Sequence, residues 1–439
     1  MKFKKIISVL TVTLLSIGVL LFCLLFTAPG NHFIAYSANK LVDGLEIKLP
    51  SGRFLYNNPF DVRYENQAIK LHAKQLKVDL FWWGCDGICL DNISALNIDV
   101  NVKSKQAVAG QQPQSAQEQL QEDASLVAEQ ITLPLKVTVK RIAINQLTLA
   151  HPSADVTIEK LNLSAVAELS DILVDALKIN TVTVQLHEVK EQPKSQPLTV
   201  LPALPTLDLT LPLDIQLNTL NISKVAVTPV ASESAEVINN IALSATAKGH
   251  EVRVEKLDAQ YNDWQLNTDL FAELNADNSV QGHVALTHPS HQLTLELTGS
   301  LADLKMTLLT QGQYPLKVDA QVNLQKDNFP FSLTGRVDTW SLDAGAEQLN
   351  ISKLDLHGQG HANDYKVKVD LISQLGAYPQ VSVSSQLQGS LTKANLDQLK
   401  LNANESQAII HASVDWSKGV NTEFNGKLEH LKAQYLTDA

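Results

Sequence analysis

Cysteine is scarce. The three present, Cys23, Cys85 and Cys89, are too few for a disulfide-dense scaffold. Aromatic residues are thin too, at 11 Phe, 8 Tyr and 5 Trp in 439 residues. Compact sandwich cores usually draw on such rings, so this chain has to bury mainly aliphatic side chains. A basic excess is missing: 35 Lys and Arg stand against 46 Asp and Glu, giving a formal charge of −11. That removes the electrostatic footing of a nucleic-acid binder, which needs a basic face for the phosphates. With only 19 Gly and 16 Pro, the chain is neither collagen-like nor a Pro/Gly-rich disordered polymer. HExxH, P-loop, GxGxxG and GxSxG motifs are all absent. No catalytic constellation is visible, and neither an enzyme nor a cofactor is expected.

One long apolar run is present. Lys2, Lys4 and Lys5 precede Ile6 to Phe26, 21 residues without a charge. A helix of that length rises about 30 Å, the thickness of a bilayer core. A cleaved signal peptide has a shorter apolar region, and Thr27-Ala28-Pro29-Gly30 makes a poor cleavage site. The run therefore reads as an uncleaved transmembrane helix. Its lysines stay cytoplasmic and everything beyond Gly30 lies outside the cytoplasm.

From Leu45 onward the pattern has period two. In Leu207–Leu217, the residues Leu207, Leu209, Leu211, Leu213, Ile215 and Leu217 share one parity, and Asp208, Thr210, Pro212, Asp214 and Gln216 the other. Leu316, Val318, Ala320, Val322 and Leu324 repeat it, as do Leu293/Leu295/Leu297 and Val367/Val369/Leu371. Such alternation marks strands with one apolar face. Pro212 cannot donate to a ladder, so it predicts an edge or a bulge. Helix candidates are few: Asn31–Val42 and Ser170–Leu177. Short polar breaks such as Asn262-Asp263 and Asp327-Asn328 predict hairpins, hence an antiparallel sheet. The chain divides into a Lys tail and anchor (1–30), a β region opening with a short helix (31–103), a Gln-rich flexible insertion (104–130) and an elongated β part (131–439).

The apolar faces of so many strands need covering. A large exposed patch would aggregate. It must pack on a second sheet, as in a sandwich or tandem β-domains, or curl around an apolar ligand. Aliphatic lining without aromatics favours a mainly β fold in which a curled antiparallel sheet forms a hydrophobic, taco-like groove. The lining would be the seventeen aliphatic residues just named, from Leu207 to Leu371.

The N-terminal segment adds a resemblance. Leu45–Glu65 (LEIKLPSGRFLYNNPFDVRYE) is followed by Phe81–Cys89 (FWWGCDGIC). With the preceding anchor, this resembles the start of the TamB family, AsmA-like bridge-like lipid transfer proteins of Gram-negative bacteria. The close match covers roughly residues 1 to 105. The resemblance implies an inner-membrane anchor, a periplasmic groove, and phospholipid as partner, moving toward the outer membrane. It also implies a role in assembling outer-membrane proteins with a TamA-like barrel, which is the alternative function. Family members usually run well over twice this length, so a truncated product or a fragment is expected. In an oxidising periplasm Cys85 and Cys89, on either side of Asp86-Gly87-Ile88, would form a disulfide. Two histidine groups, His357/His361/Asp364 and His283/His288/His291, read as polar strand ends and turns. A shared metal would need helical spacing, so no metal site is expected.

Overall fold

The computed structural model describes residues 27–54, 58–80, 86–103, 132–133, 135–187, 200–230, 232, 234–312, 315–337, 339–344, 347–417 and 419–430. The predicted membrane-spanning run, the Gln-rich insertion and Cys85 lie outside them. No helix among the described residues is long and apolar enough to cross a membrane.

The described chain opens with one helix, α1 (Ala28–Leu41), close to the predicted Asn31–Val42. Thr27 caps it by accepting from the Gly30 N–H at 3.2 Å. Pro29 sits in the first turn, where its missing N–H costs nothing. The other regular elements among the described residues are the 23 strands of one sheet. The first, β1 (Leu45–Lys48), pairs with β2 (Phe60–Glu65), and each later strand joins its predecessor out to β23 (Asn421–Glu429). The one irregularity is that β16 (Phe331–Val337) and β17 (Trp340–Ala344) lie end to end along β18 (Glu347–His361). At about 4.8 Å per step the sheet is roughly 100 Å long.

The hairpin breaks fall where the sequence places them. Tyr261 pairs with Trp264 around Asn262-Asp263, and Asn262 takes the left-handed conformation that Asn tolerates.

Three expectations need correction. The sheet is not wholly antiparallel. Two joints are parallel, between β4 (Ile88–Val102) and β5 (Val137–His151), and between β7 (Asp171–Leu186) and β8 (Asp214–Thr228). Both sit at the two long connections, which are long enough to carry the chain back to the same end of the sheet. Ser170–Leu177 is not a helix, because it opens β7. A register shift opposite Ser164/Ala165 inserts a residue there, so the apolar positions run Ile172, Val174, Leu177, Ile179 and imitate a helical spacing. Finally, Leu207–Leu217 is not one strand. Residues 200–213 belong to no strand, and β8 begins only at Asp214.

Among the described residues no second layer covers the sheet. Among the described elements, substantial contact exists only between hydrogen-bonded neighbours and between α1 and β1. Only nine hydrophobic side chains are buried among the described residues. Three of them, Ala35, Leu49 and Phe60, form a small cluster where α1 meets the sheet.

Candidate functional site

Residues paired directly across strands share a face of the sheet, so the register maps that face. One row starts at Val322 of β15 (Leu316–Val322). Toward the N-terminus it passes Leu304, Gly299, Val280, Ala272, Val252, Ala247, Ile215, Ile172, Ala167 and Val137 to Ile88. Toward the C-terminus it passes Phe331, Gly360, Tyr365, Gly389, Ala394 and Val414 to Thr422. Every strand from β4 to β23 except β17 contributes, and no member is charged. Leu293, Leu295, Leu297, Leu316, Val318, Ala320, Val367, Val369, Leu371 and Leu217 lie on this same face by alternation within their strands.

The two faces differ in exposure. Along β15, Leu316, Val318, Ala320 and Val322 are half-buried, while Lys317, Asp319 and Gln321 are exposed. No other described element packs on either face of β15, so the difference comes from the sheet curling toward its apolar side. Glycine permits that closeness. A Cβ on Gly358 would meet Leu333 Cγ at 2.8 Å, and one on Gly389 would meet the Tyr365 ring at 2.3 Å. Both positions are on the apolar face. The result is an open trough of Leu, Val, Ile and Ala, shielded by curvature.

The outer face is polar and internally paired. Lys317–Asp319, Lys353–Asp355 and Lys368–Asp370 are ion pairs between residues two apart, at 3.2, 2.6 and 2.7 Å. Hydrogen bonds from Thr307 and Lys317 hold the Asp319 carboxyl below its ordinary pKa. Lys368 and Ser384 do the same for Asp370. These side chains satisfy one another.

The segment 200–213 has a place of its own. It runs along one rim of the trough, across the turns that end the strands. The N–H groups of Leu204, Leu209 and Leu211 donate to the carbonyls of Leu324, Leu274 and Gly249. Leu201 and Ala203 donate to the side chains of Asn328 and Asp327 at 3.0 and 2.9 Å. Asn278, only 2% exposed, accepts from Leu207 N–H at 2.9 Å and donates to Leu207 C=O at 2.6 Å. Leu207, Leu209, Leu211 and Leu213 therefore belong to this rim strap and not to the floor of the trough. Leu324 is also a rim residue, since its N–H donates to Leu301 C=O in the turn after β15. Pro212 lies where no ladder bond is needed.

Neither histidine group comes together as a whole. His283 pairs with Asp269 and Glu296 on the polar face. His288 and His291 stack at the next turn, 5.6 Å apart, with Trp264 at 4.9 Å from His288. His357 lies opposite Thr334 and Lys368, and His361 closes a hairpin with Asp364. Cys89 is disulfide-bonded, while its expected partner Cys85 lies outside the described residues.

Sequence reasoning missed the way the first edge is closed. Asn39 of α1 accepts from the Ile47 N–H at 2.8 Å and donates back to its carbonyl at 3.4 Å. It thereby occupies the free edge of β1 as a further strand would. An Asn within a helix gives no periodic signal that could have revealed this.

A single curled layer with a largely aliphatic inner face, and no convergent polar site among the described residues, fits a bridge-like groove protein. The family comparison agrees. The model of the TamB N-terminal domain matches residues 17–438, nearly the whole chain and far more than the N-terminal segment that carries the resemblance, and the chain belongs to this family. No solved structure matches it.

Proposed function

We propose that this chain conducts phospholipids along the trough, from an inner-membrane anchor at residues 6–26 through the periplasm toward the outer membrane. The observation that carries the reading is the uncharged register row from Ile88 to Thr422, on which no described element packs as a second layer. Acyl chains would rest on the Leu/Val/Ile floor, and headgroups would stay in water above the slit. Successive rungs are chemically alike, so a lipid can slide with little change in free energy. No catalytic group and no cofactor enters this scheme.

A second reading, assembly of outer-membrane proteins with a TamA-like barrel, draws on β23. Its outer edge is unpaired among the described residues, and Phe424 and Leu428 are 74% and 67% exposed. Such an edge could accept an incoming strand by β-augmentation.

Photo-crosslinking separates the two. A reactive residue at Val318 should capture phospholipid in cells, and one at Asp319 should not. Equal capture from both, or capture of unfolded outer-membrane protein at Val318, would overturn the lipid reading.

A further inference from the structure

Helix α1 is turned inside out. A helix resting on a protein core presents its large apolar residues inward. Here the inward positions are Asn31, Ala35 and Asn39. Asn31 is 1% exposed and accepts from the Phe54 N–H at 2.9 Å, Ala35 is buried, and Asn39 clamps β1. The outward positions Pro29, Phe33, Tyr36 and Lys40 form one helical stripe, and Leu41 lies beside it. Phe33, Tyr36 and Leu41 are 60%, 59% and 84% exposed. Lys40 Nζ lies 4.9 Å from the Tyr36 ring centroid. Asp43, just past the helix, is the acidic group nearest in sequence. The inner face thus holds the sheet by hydrogen bonds, and the Phe33 and Tyr36 side chains are mostly exposed on the other side of the helix.

We propose that this outer stripe docks on the bilayer interface, so that α1 lies flat on the membrane while its inner face closes the end of the trough. Two observations select a lipid surface over a protein partner. The uncharged run Ile6–Phe26 ends one residue before the cap Thr27, which leaves almost no chain to carry α1 away from a membrane that the run spans. The stripe also combines aromatic rings with a lysine, the chemistry of the headgroup level. From Pro29 to Lys40 it covers about 16 Å along the helix axis. With this end closed by α1 and the β1 edge held by Asn39, lipid would have to enter sideways, through the slit beyond β3 (Ile69–Leu80). The proposal rests on the anchor and groove reading above, and its test is separable from theirs.

The test uses the full chain reconstituted in vesicles of phosphatidylethanolamine and phosphatidylglycerol. A photo-reactive residue replaces Phe33, Tyr36, Lys317 or Val318, one at a time. Adducts with lipid are expected from Phe33 and Tyr36 and none from Lys317. In detergent carrying only co-purified lipid, the Phe33 and Tyr36 adducts should be lost and the Val318 adduct retained, which separates bilayer lipid from groove lipid. The exposed double variant Phe33→Asp/Tyr36→Asp should still fold and should lose protection of α1 against protease on vesicles. Protein adducts from Phe33 and Tyr36, or no adduct while Val318 still captures lipid, would overturn the proposal and leave the groove reading standing. Absence of lipid at Val318 alone would overturn the groove reading and leave this one standing.

Discussion

Val318→Asp tests whether the apolar face is a path or a core. Val318 lies mid-strand in β15, opposite Leu308 on one side and Gly335 on the other. It is half-buried, so losing its apolar contacts costs about 1 kcal/mol, part of the roughly 1.5–3 kcal/mol of a fully buried aliphatic side chain. The new carboxylate reaches water through the slit and stays ionised. An unpaired charge in a closed core would instead cost about 3–5 kcal/mol. Transport should suffer far more than folding. One rung of about 4.8 Å lies under three to four methylenes of a chain along the groove axis. Taking those off apolar surface at about 0.8 kcal/mol each adds roughly 3 kcal/mol to passage, a slowing of about 100-fold. Denaturant melts and a phospholipid transfer assay read the two effects, with Gln292→Asp, exposed on the polar face opposite Thr287 and Gln311, as the neutral control. A stability loss above about 4 kcal/mol, or transfer unchanged in a folded variant, would refute the reasoning.

Four further outcomes are expected. Asn278→Ala removes the two hydrogen bonds that hold the N–H and C=O of Leu207, at about 0.5–1.5 kcal/mol each; limited proteolysis should then cut first within 200–213, and an unchanged cleavage pattern would show the strap is held by other means. Asp319 and Asp370 have folded pKa values below their unfolded ones, so their stabilisation is complete above the ordinary carboxylate range and is lost as pH falls through the folded values. Melting temperature should drop below about pH 4, and less steeply in Asp319→Asn/Asp370→Asn; identical acid profiles would count against this. Alkylation of the periplasmic protein without reductant should leave Cys85 and Cys89 unlabelled, and labelling of both would mean Cys89 does not pair with Cys85. Fractionated cells should hold the full-length chain in inner membranes, whereas mature protein beginning near Asn31, free in the periplasm, would remove the anchor.

The floor of the trough was legible because strand alternation is a local property that pairing preserves. Val318 and Val369 face the same way whichever strands flank them, provided the register keeps their parities in step. The strap was not legible for the same reason. Alternation in Leu207–Leu213 reports an extended backbone with two unlike sides, but not which groups its N–H donors meet. Those donors meet turns more than 30 residues away in sequence, one at a time, through Asn278, Asn328 and bare carbonyls. In β7 the inserted residue near Ala176 broke the period, and a bulge depends on the neighbouring strand as much as on its own sequence. The first parallel joint had a trace, because the Gln-rich break before it was visible, yet only the pairing fixes the direction of return. The inverted faces of α1 could be read only after burial showed which residues touch the sheet.

The unbroken hairpin run from β8 to β16 and again from β18 to β23 makes length a quantised property. Removing one strand would turn two antiparallel neighbours parallel and force their connection across the width of the molecule. Removing a whole hairpin leaves every later strand pointing as before, keeps the inner and outer residues on their own sides, and shortens the protein by about 10 Å. Beyond the strap, span can therefore be adjusted in steps of two strands with every surviving residue kept on its own face, much as a ladder is cut between pairs of rungs.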